Sequence, residues 1–174
     1  DTIIYLYDTI DDFQTYFRPN REVVEIEIHE LLQKALNFVK SRLSDNKIKI
    51  TINKEADIYI KTYVNELVQV VLNILNNAID AHNDVRVQNP FIVLHTKASE
   101  EKVFVIIEDN AGGITDENFS HLFEPYFSTK DKNGTGLGLY MSQMIIQKQF
   151  GGEIDVETSK KGSVFIIKIP KNIT

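Results

Sequence analysis

The sequence predicts an α/β (α+β) two-layer sandwich, in which a mostly antiparallel sheet is covered by helices on one face. Two observations lead to this prediction. Segments with apolar residues at helical spacing alternate along the chain with segments in which every second residue is apolar. Most segments of the second kind come in pairs joined by short polar turns, as in β-hairpins.

The first half of the chain is predicted to contain three helices and a strand pair. Residues 1–17 carry apolar side chains at helical spacing, and the sequence RPN at 18–20 ends this helix. After the short alternating sequence VVEIEI, an amphipathic helix is predicted over 29–44. KIKITIN and DIYIK then alternate with period two and predict the strand pair, and a long helix follows over 63–82.

The second half is predicted to contain two hairpins separated by a loop and a helix. FIVLHTK and KVFVIIED predict strands joined by ASEE, and EIDVET and SVFIIKIP predict strands around SKKG. Between the hairpins, residues 115–133 show little periodicity and predict a loop. An apolar helical pattern then begins near Gly138 and ends at the glycine pair 151–152.

Composition limits the possible functions. The chain has 174 residues, of which 43% are hydrophobic and 25% charged, which is typical of one globular domain with a core. It has no cysteine, which excludes disulfides, thiolate catalysis and Cys-ligated zinc and is compatible with a reducing compartment. The net charge is −6 and the lysines are scattered, so nucleic acid is not an expected partner. No apolar run approaches the about 20 residues of a membrane span.

Three glycines, Gly134, Gly136 and Gly138, occupy every second position directly before the apolar helix. A helix N-terminus offers unpaired N–H groups and a positive dipole end, and glycines let a phosphate approach that backbone closely. The alternative is a simple turn. Leu139 follows Gly138, which excludes a P-loop, and the polar sequence FSTKDKNG replaces the strand that a dinucleotide fingerprint requires.

The helix over 63–82 carries a narrow polar stripe opposite its apolar side. Asparagine is a poor helix former, and the stripe contains three within five positions. One interpretation is a solvated face. The favoured one is that the side-chain carbonyls of Asn73 and Asn77, one turn apart, coordinate a hard cation such as Mg²⁺ beside phosphates. The stripe consists of Gln69, Asn73, Asn76, Asn77 and Asp80.

Two further positions are candidates for ligand contacts. Asp109 ends the strand KVFVIIED before a glycine-rich turn. It is either an Asx-turn residue or a carboxylate that accepts a hydrogen bond from an exocyclic amine. Lys130 lies four residues before the glycines and is a candidate contact for a γ-phosphate, while Phe123 and Phe127 are expected to anchor the same loop in the core.

Four motifs occur in the order and spacing of the N, G1, F and G2 boxes of sensor histidine kinases: NILNNAIDA, DNAGGI, FEPYFSTK and GTGLGL. The chain over about residues 22–170 therefore resembles the ATP-binding catalytic domain of that family, within the superfamily that includes DNA gyrase. Within that family, the chain resembles the nitrogen-regulation and oxygen-sensor branch in its sequences NAIDA and FSTK and in the short segment that would cover the ATP, the ATP lid. The resemblance implies a mixed, mostly antiparallel sheet backed by three helices, with a flexible ATP lid.

The resemblance also implies roles for individual residues. Asp109 would bind the adenine amine, with the hydroxyl of Ser163 near the adenine. Asn73 and Asn77 would hold Mg²⁺, and Asn73 and Lys130 would be the catalytic residues. The sequence departs from the family at Ala111, which replaces the first glycine of the G1 box, and at Asp80, where many members are basic. The remaining ATP-binding or ADP-binding positions would be Gly113, Lys130, Gly134, Thr135, Gly136, Leu137 and Gly138.

Gyrase-type ATPases carry a glutamate where this chain has Asn73, so transfer to a supplied nucleophile is favoured over hydrolysis. The resemblance implies transfer to a histidine on a dimerisation domain in a homodimer, and relay to a response regulator. None of the four histidines fits the family's motif. We therefore expect the phosphoacceptor upstream of this fragment, the end of the second dimerisation helix over 1–20 and the catalytic domain over 21–174.

We expect a cytoplasmic location, including as the cytoplasmic part of a membrane-anchored sensor, with no membrane contact by this part of the chain. The alternatives are a serine protein kinase of the anti-sigma type, a gyrase-like ATPase and a nucleotide-binding module without catalysis. Low ATPase activity with intact Mg²⁺-ATP binding would exclude the ATPase, and phosphotransfer to a histidine would exclude the binding module.

Overall fold

The computed structural model describes residues 22–127 and 137–174. The predicted helix over 1–17 and the positions Lys130, Gly134, Thr135 and Gly136 lie outside the described residues. Within the two described ranges the chain forms seven strands and four helices. They are β1 (Val24–Glu27), α1 (Ile28–Asp45), β2 (Lys49–Asn53), β3 (Tyr59–Thr62), α2 (Val64–Asp84), β4 (Phe91–Ala98), β5 (Lys102–Asp109), α3 (Asp116–Phe119), α4 (Gly138–Lys148), β6 (Glu153–Thr158) and β7 (Ser163–Pro170).

The main sheet has five strands in the order β2-β4-β5-β7-β6. β2 runs parallel to β4, and the other neighbours are antiparallel. A mixed, mostly antiparallel sheet is therefore confirmed. The predicted pairing of KIKITIN with DIYIK is wrong, because β2 joins the main sheet while β3 pairs with β1 in a separate two-stranded sheet. Alternation of apolar and polar residues predicts that a segment is a strand, but it does not determine which other strand pairs with it.

The core lies between the sheet and three helices, α1, α2 and α4. Every second residue of β5 faces this core, beginning with Val103, Val105 and Ile107, and Asp109 continues the row. β7 repeats the pattern from Ser163 through Phe165 and beyond. β5 therefore ends, and β7 begins, with a polar side chain on the inward face at the same end of the sheet.

Glu27 joins the small sheet to α1. Its carboxylate accepts hydrogen bonds from the backbone N–H groups of His29 at 2.7 Å, Glu30 at 3.2 Å and Ile58 at 3.1 Å. Burial raises the pKa of Glu27, but these bonds and the His29 side chain together lower it below its ordinary value. The His29 ring reaches on to Thr96 of β4 at 2.9 Å, so one buried network connects both sheets with the start of α1.

Arg42 holds α1 against α2. One guanidinium nitrogen donates to Asn76 Oδ1 at 2.6 Å and another donates to Asp80 Oδ1 at 2.7 Å. Two members of the polar stripe therefore make a contact between helices rather than forming a solvated face. The planar fork of arginine suits two acceptors that lie one helical turn apart.

We predict that Arg42→Ala lowers the free energy of unfolding by about 1 kcal/mol, because both bonds to α2 are lost from a partly exposed position. Arg42→Lys should recover only part of this, since one ammonium does not reproduce the fork. Urea unfolding measures the difference. Lys40→Ala, an exposed cation on the same helix, is the control, and an equal effect of both alanine substitutions would contradict the prediction.

Candidate functional site

Asp109 lies in the core-facing row at the end of β5, and only 8% of it is exposed. The loop after the strand turns back over it, so that the Ala111 N–H donates to Asp109 Oδ1 at 2.9 Å. Burial raises the pKa of Asp109 above its ordinary value, although this backbone bond and the nearby His82 lower it in part. A carboxylate that is buried without a bonded cation is costly, and such perturbed groups are common in functional sites.

Two hydroxyl groups extend the polar end of the sheet beyond Asp109. Ser163 of β7 pairs directly with Asp109 and is buried. Thr158 of β6 pairs with Ser163 on its other side, and the two hydroxyl oxygens are 3.3 Å apart. Thr158 Oγ1 also accepts the N–H of Ile114 at 2.8 Å, which holds the loop after β5 against β6. Sequence reasoning missed Thr158, although hairpin register would have placed it beside Ser163.

The glycine-rich loop after β5 needs glycine at specific positions. Gly113 has φ +77°, and a Cβ there would lie 1.8 Å from the carbonyl oxygen of Ser159. Gly112 also has a positive φ, of +87°. Ala111 is buried and does not adopt positive φ, which explains why alanine is accommodated at the first glycine position of this motif.

Asn73 connects α2 to the first turn of α4. Its Nδ2 donates to Ser142 Oγ at 2.9 Å and to the Gly138 carbonyl oxygen at 3.3 Å. Asn77 lies one turn further along α2 and is half-buried. The polar stripe of this helix therefore contacts two different helices: Asn76 and Asp80 bond Arg42 of α1, whereas Asn73 bonds α4.

The same helix also leads to Asp109. His82, near the end of α2, is buried, lies close enough to Asp109 to lower its pKa, and contacts the Phe91 carbonyl oxygen at 3.1 Å. Asn73 and His82 are nine positions apart, which is about 13 Å along a helix axis. One helix therefore runs from the start of α4 to the buried carboxylate.

α4 begins at Gly138, with Leu137 as its N-cap residue. The Leu137 side chain makes no capping hydrogen bond, and the first turn of the described helix contains no acidic residue. Of the predicted phosphate-loop positions only Leu137 and Gly138 are described. Phe123 packs against the core as expected, and Phe127 contacts the His121 ring with centroids 5.7 Å apart.

In the described part of the chain, no cluster of three or more His, Cys, Asp or Glu residues could hold a metal ion. The described helices include none that is long and apolar enough to cross a membrane.

Comparison with known proteins identifies a family of ATPases and a sensor histidine kinase as similar to this chain. The family described as "Histidine kinase-, DNA gyrase B-, and HSP90-like ATPase" matches residues 62–173. The sensor histidine kinase ZraS of Klebsiella oxytoca is 32% identical over 149 residues, which cover 84% of this chain and 31% of that protein. The chain thus spans about a third of this relative.

Solved structures share the fold. The nucleotide-free catalytic domain of histidine kinase ThkA is 28% identical with a TM-score of 0.76, covering 87% of this chain and 97% of that one. ThkA in complex with the response regulator protein TrrA is 24% identical with a TM-score of 0.79, covering 98% of this chain and 48% of that one. This last likeness concerns the fold alone.

We predict that Gly113→Ala is far more destabilising than Gly151→Ala. Gly151 also has a positive φ, of +63°, but a Cβ there meets nothing within 4 Å. Its substitution should therefore cost only the about 1 kcal/mol that a non-glycine residue loses in the left-handed conformation. The clash at Gly113 should add about 2 kcal/mol or more. Thermal unfolding of both variants measures the difference, and equal losses would show that the loop yields without strain.

Proposed function

This chain belongs to the histidine kinase-, DNA gyrase B- and HSP90-like ATPase family, and we propose that it binds Mg²⁺-ATP and transfers the γ-phosphate to a histidine side chain. The observation that carries the proposal is the buried carboxylate of Asp109 near the C-terminal end of α2, with Asn73, in the middle of the same helix, bonded to the N-terminal part of α4. Since the chain covers about a third of ZraS, the activity of the whole protein belongs to this proposal.

Asp109 and Ser163 are proposed to recognise adenine. An ionised carboxylate only accepts hydrogen bonds, so it suits the exocyclic amine of adenine and leaves the carbonyl of guanine unpaired. Burial makes this discrimination strong, because a mismatched partner would leave a desolvated charge without a bond. The Ser163 hydroxyl, directly opposite in the sheet, can bond a neighbouring ring nitrogen.

Asn73 and Asn77 fit a hard cation by the chemistry of their donors. The side-chain NH₂ of Asn73 donates hydrogen bonds to α4, and none of the described residues donates to its Oδ1. Mg²⁺ prefers such oxygen ligands together with phosphate oxygens, and when bound it would neutralise phosphate charge. The N-terminus of α4, at Leu137 and Gly138, would receive the phosphates through its backbone N–H groups and positive dipole end. Gly113, whose left-handed backbone and close approach to Ser159 require glycine, would shape the nucleotide pocket, and Lys130, Gly134, Thr135 and Gly136 stay predicted contacts.

Transfer to a protein nucleophile is proposed in preference to hydrolysis. An amide does not accept a proton from water, and Asn73 occupies the position where gyrase-type relatives have a general base. His29 and His82 are buried and hydrogen-bonded, which does not suit a phosphoacceptor. We therefore propose that the acceptor lies on a dimerisation domain of the same protein and that residues 1–20 belong to its second helix.

The proposed partners follow from this reaction. The full protein would be a homodimer that passes phosphate from its own dimerisation domain to a response regulator. ThkA, whose catalytic domain is 28% identical to this chain, has been solved in complex with the response regulator protein TrrA. The proposal places the domain in the cytoplasm, where ATP is available. The similarity to the nitrogen-regulation branch stays a prediction.

We predict that the chain, incubated with γ-labelled ATP, phosphorylates the dimerisation domain of its own full-length protein. The product should be labile to acid and stable to alkali, as expected of a phosphoramidate, whereas phosphoserine survives acid. Release of inorganic phosphate without the acceptor should be slow. An acid-stable product would indicate a serine kinase, rapid phosphate release an ATPase, and nucleotide binding without either a non-catalytic module, and each would contradict the proposal.

We predict that Asp109→Asn weakens ADP binding by about 10-fold to 100-fold, the range for a hydrogen bond to a charged group. Calorimetry measures this. The same substitution should stabilise the nucleotide-free protein at neutral pH, because it removes a buried charge. Since folding raises the pKa of Asp109, its favourable contribution is present at low pH and lost as the pH rises through the folded pKa.

The stabilising effect of Asp109→Asn should therefore disappear in acid. Asp84→Asn, at the exposed end of α2, is the matched control and should alter neither affinity nor stability. Undiminished ADP affinity in Asp109→Asn would remove Asp109 from the adenine site.

A further inference from the structure

Ser142 lies at the contact between the two helices that carry the proposed cation and phosphate sites. It is on α4, fully buried, and its hydroxyl oxygen accepts the Asn73 amide at 2.9 Å. The carbonyl of Gly138, four residues earlier on the same helix face, accepts the same amide nitrogen at 3.3 Å. Two acceptors on neighbouring turns of α4 therefore hold one side chain of α2.

This pair of acceptors fixes which way the Asn73 amide points. A backbone carbonyl only accepts hydrogen bonds, so the group that faces Gly138 must be the NH₂ and not the oxygen. Oδ1 is then directed away from α4. Among residues 22–127 and 137–174, none donates to this oxygen. An amide oxygen that is oriented, and that accepts no bond from the described part of the chain, is preorganised for a cation, because no such bond has to be broken first.

A buried serine at this position needs an explanation. Its neighbours on α4 that face the core are Met141, Ile145 and Ile146, and all three are buried. An apolar side chain would continue this surface, whereas a buried hydroxyl is unfavourable unless it is hydrogen-bonded. The Ser142 hydroxyl accepts the hydrogen bond from Asn73, which lies 69 positions away in the sequence. The hydroxyl therefore acts on the proposed site and not only on packing.

We propose that Ser142 is a positioning residue that fixes the amide of Asn73 with its carbonyl oxygen turned towards the Mg²⁺ of bound Mg²⁺-nucleotide. This inference rests on the proposed function and deepens it, because it assigns the orientation of one cation ligand to a residue outside the family motifs. Without the hydroxyl, Asn73 keeps only the longer bond to Gly138, and its amide rotates more freely. The bonds to Gly138 and Ser142 tie α2 to the first two turns of α4, so the proposed cation ligand and the phosphate-facing helix terminus form one unit.

The test compares ADP affinity with Mg²⁺ and with EDTA in the wild-type chain and in Ser142→Ala. We expect the variant to bind Mg²⁺-ADP about fivefold more weakly, the change that corresponds to one neutral hydrogen bond, and to bind metal-free ADP within about twofold of wild type. Thr62→Val is the matched control, since it also removes a fully buried hydroxyl but in β3, and it should change neither affinity.

A second readout needs no metal or nucleotide. The side-chain NH₂ signals of Asn73, assigned by their loss in Asn73→Ala, should be shifted and protected from exchange in the wild-type chain, and this protection should fall in Ser142→Ala. Ser142→Cys keeps a similar volume with a weak acceptor and should give an intermediate result. In an Asn73→Ala background, Ser142→Ala should have no further effect on Mg²⁺-ADP affinity.

Unchanged Mg²⁺-ADP affinity and unchanged Asn73 signals in Ser142→Ala and Ser142→Cys would overturn the inference. An equal loss of affinity with Mg²⁺ and with EDTA would also overturn it, because the serine would then act on packing around the whole pocket. If the wild-type chain binds no nucleotide, the proposed function itself fails. If the wild-type chain binds nucleotide and Ser142→Ala binds it equally well, only the inference on Ser142 fails.

Discussion

The packing of α2 on the five-stranded sheet is the interaction on which the rest of the structure depends. Its inward side chains are fully buried, among them Val71, Ile74 and Leu75, and their removal from water is the main source of stability for the helix. Because this side is fixed against the sheet, the polar side of α2 has a fixed direction. Its contacts to α1, to α4 and to the end of β5 all follow from that single orientation.

The candidate site is built from features that cost stability. Asp109 is a carboxylate in the core-facing row of β5, and its raised pKa records the cost of burying its charge. Gly113 is needed because a Cβ would clash with the Ser159 carbonyl, and glycine loses more backbone entropy on folding than any other residue. Neither feature is needed to pair strands or to fill the core. A fold tolerates such costs where a ligand recovers them, which is the common relation between stability and function at a binding site.

Charge reversal at position 80 has a local explanation. The motif resemblance leads us to expect a basic residue there, whereas this chain has Asp80. The cation comes instead from Arg42 of α1, which bonds Asp80 and Asn76 together. The polar stripe of α2 therefore serves two purposes, since one part holds α1 in place and the other part, at Asn73, faces α4. A helix that bears a functional site on one face gains rigidity from a neighbour bonded beside it.

The sequence by itself determined the elements and the chemical character of the site. Period-two alternation predicted the strands, and the same alternation places Asp109 on the side of Val105 and Ile107. Helical spacing predicted α1, α2 and α4 nearly to their ends. The glycines, asparagines and terminal aspartate indicated a phosphate, a cation and an amine as ligands, although each also had a structural interpretation as a turn, a solvated face or an Asx turn.

Only the tertiary structure decided which of these groups meet. It separated β2 from β3 and placed them in different sheets, and it assigned Asn76 to Arg42 but Asn73 to Ser142. Periodicity records which face of an element is apolar, and it carries no information on the neighbour that covers that face. Hydrogen bonds between residues as far apart as Asn73 and Ser142 depend on how helices dock on the sheet, which is set by packing of the whole core.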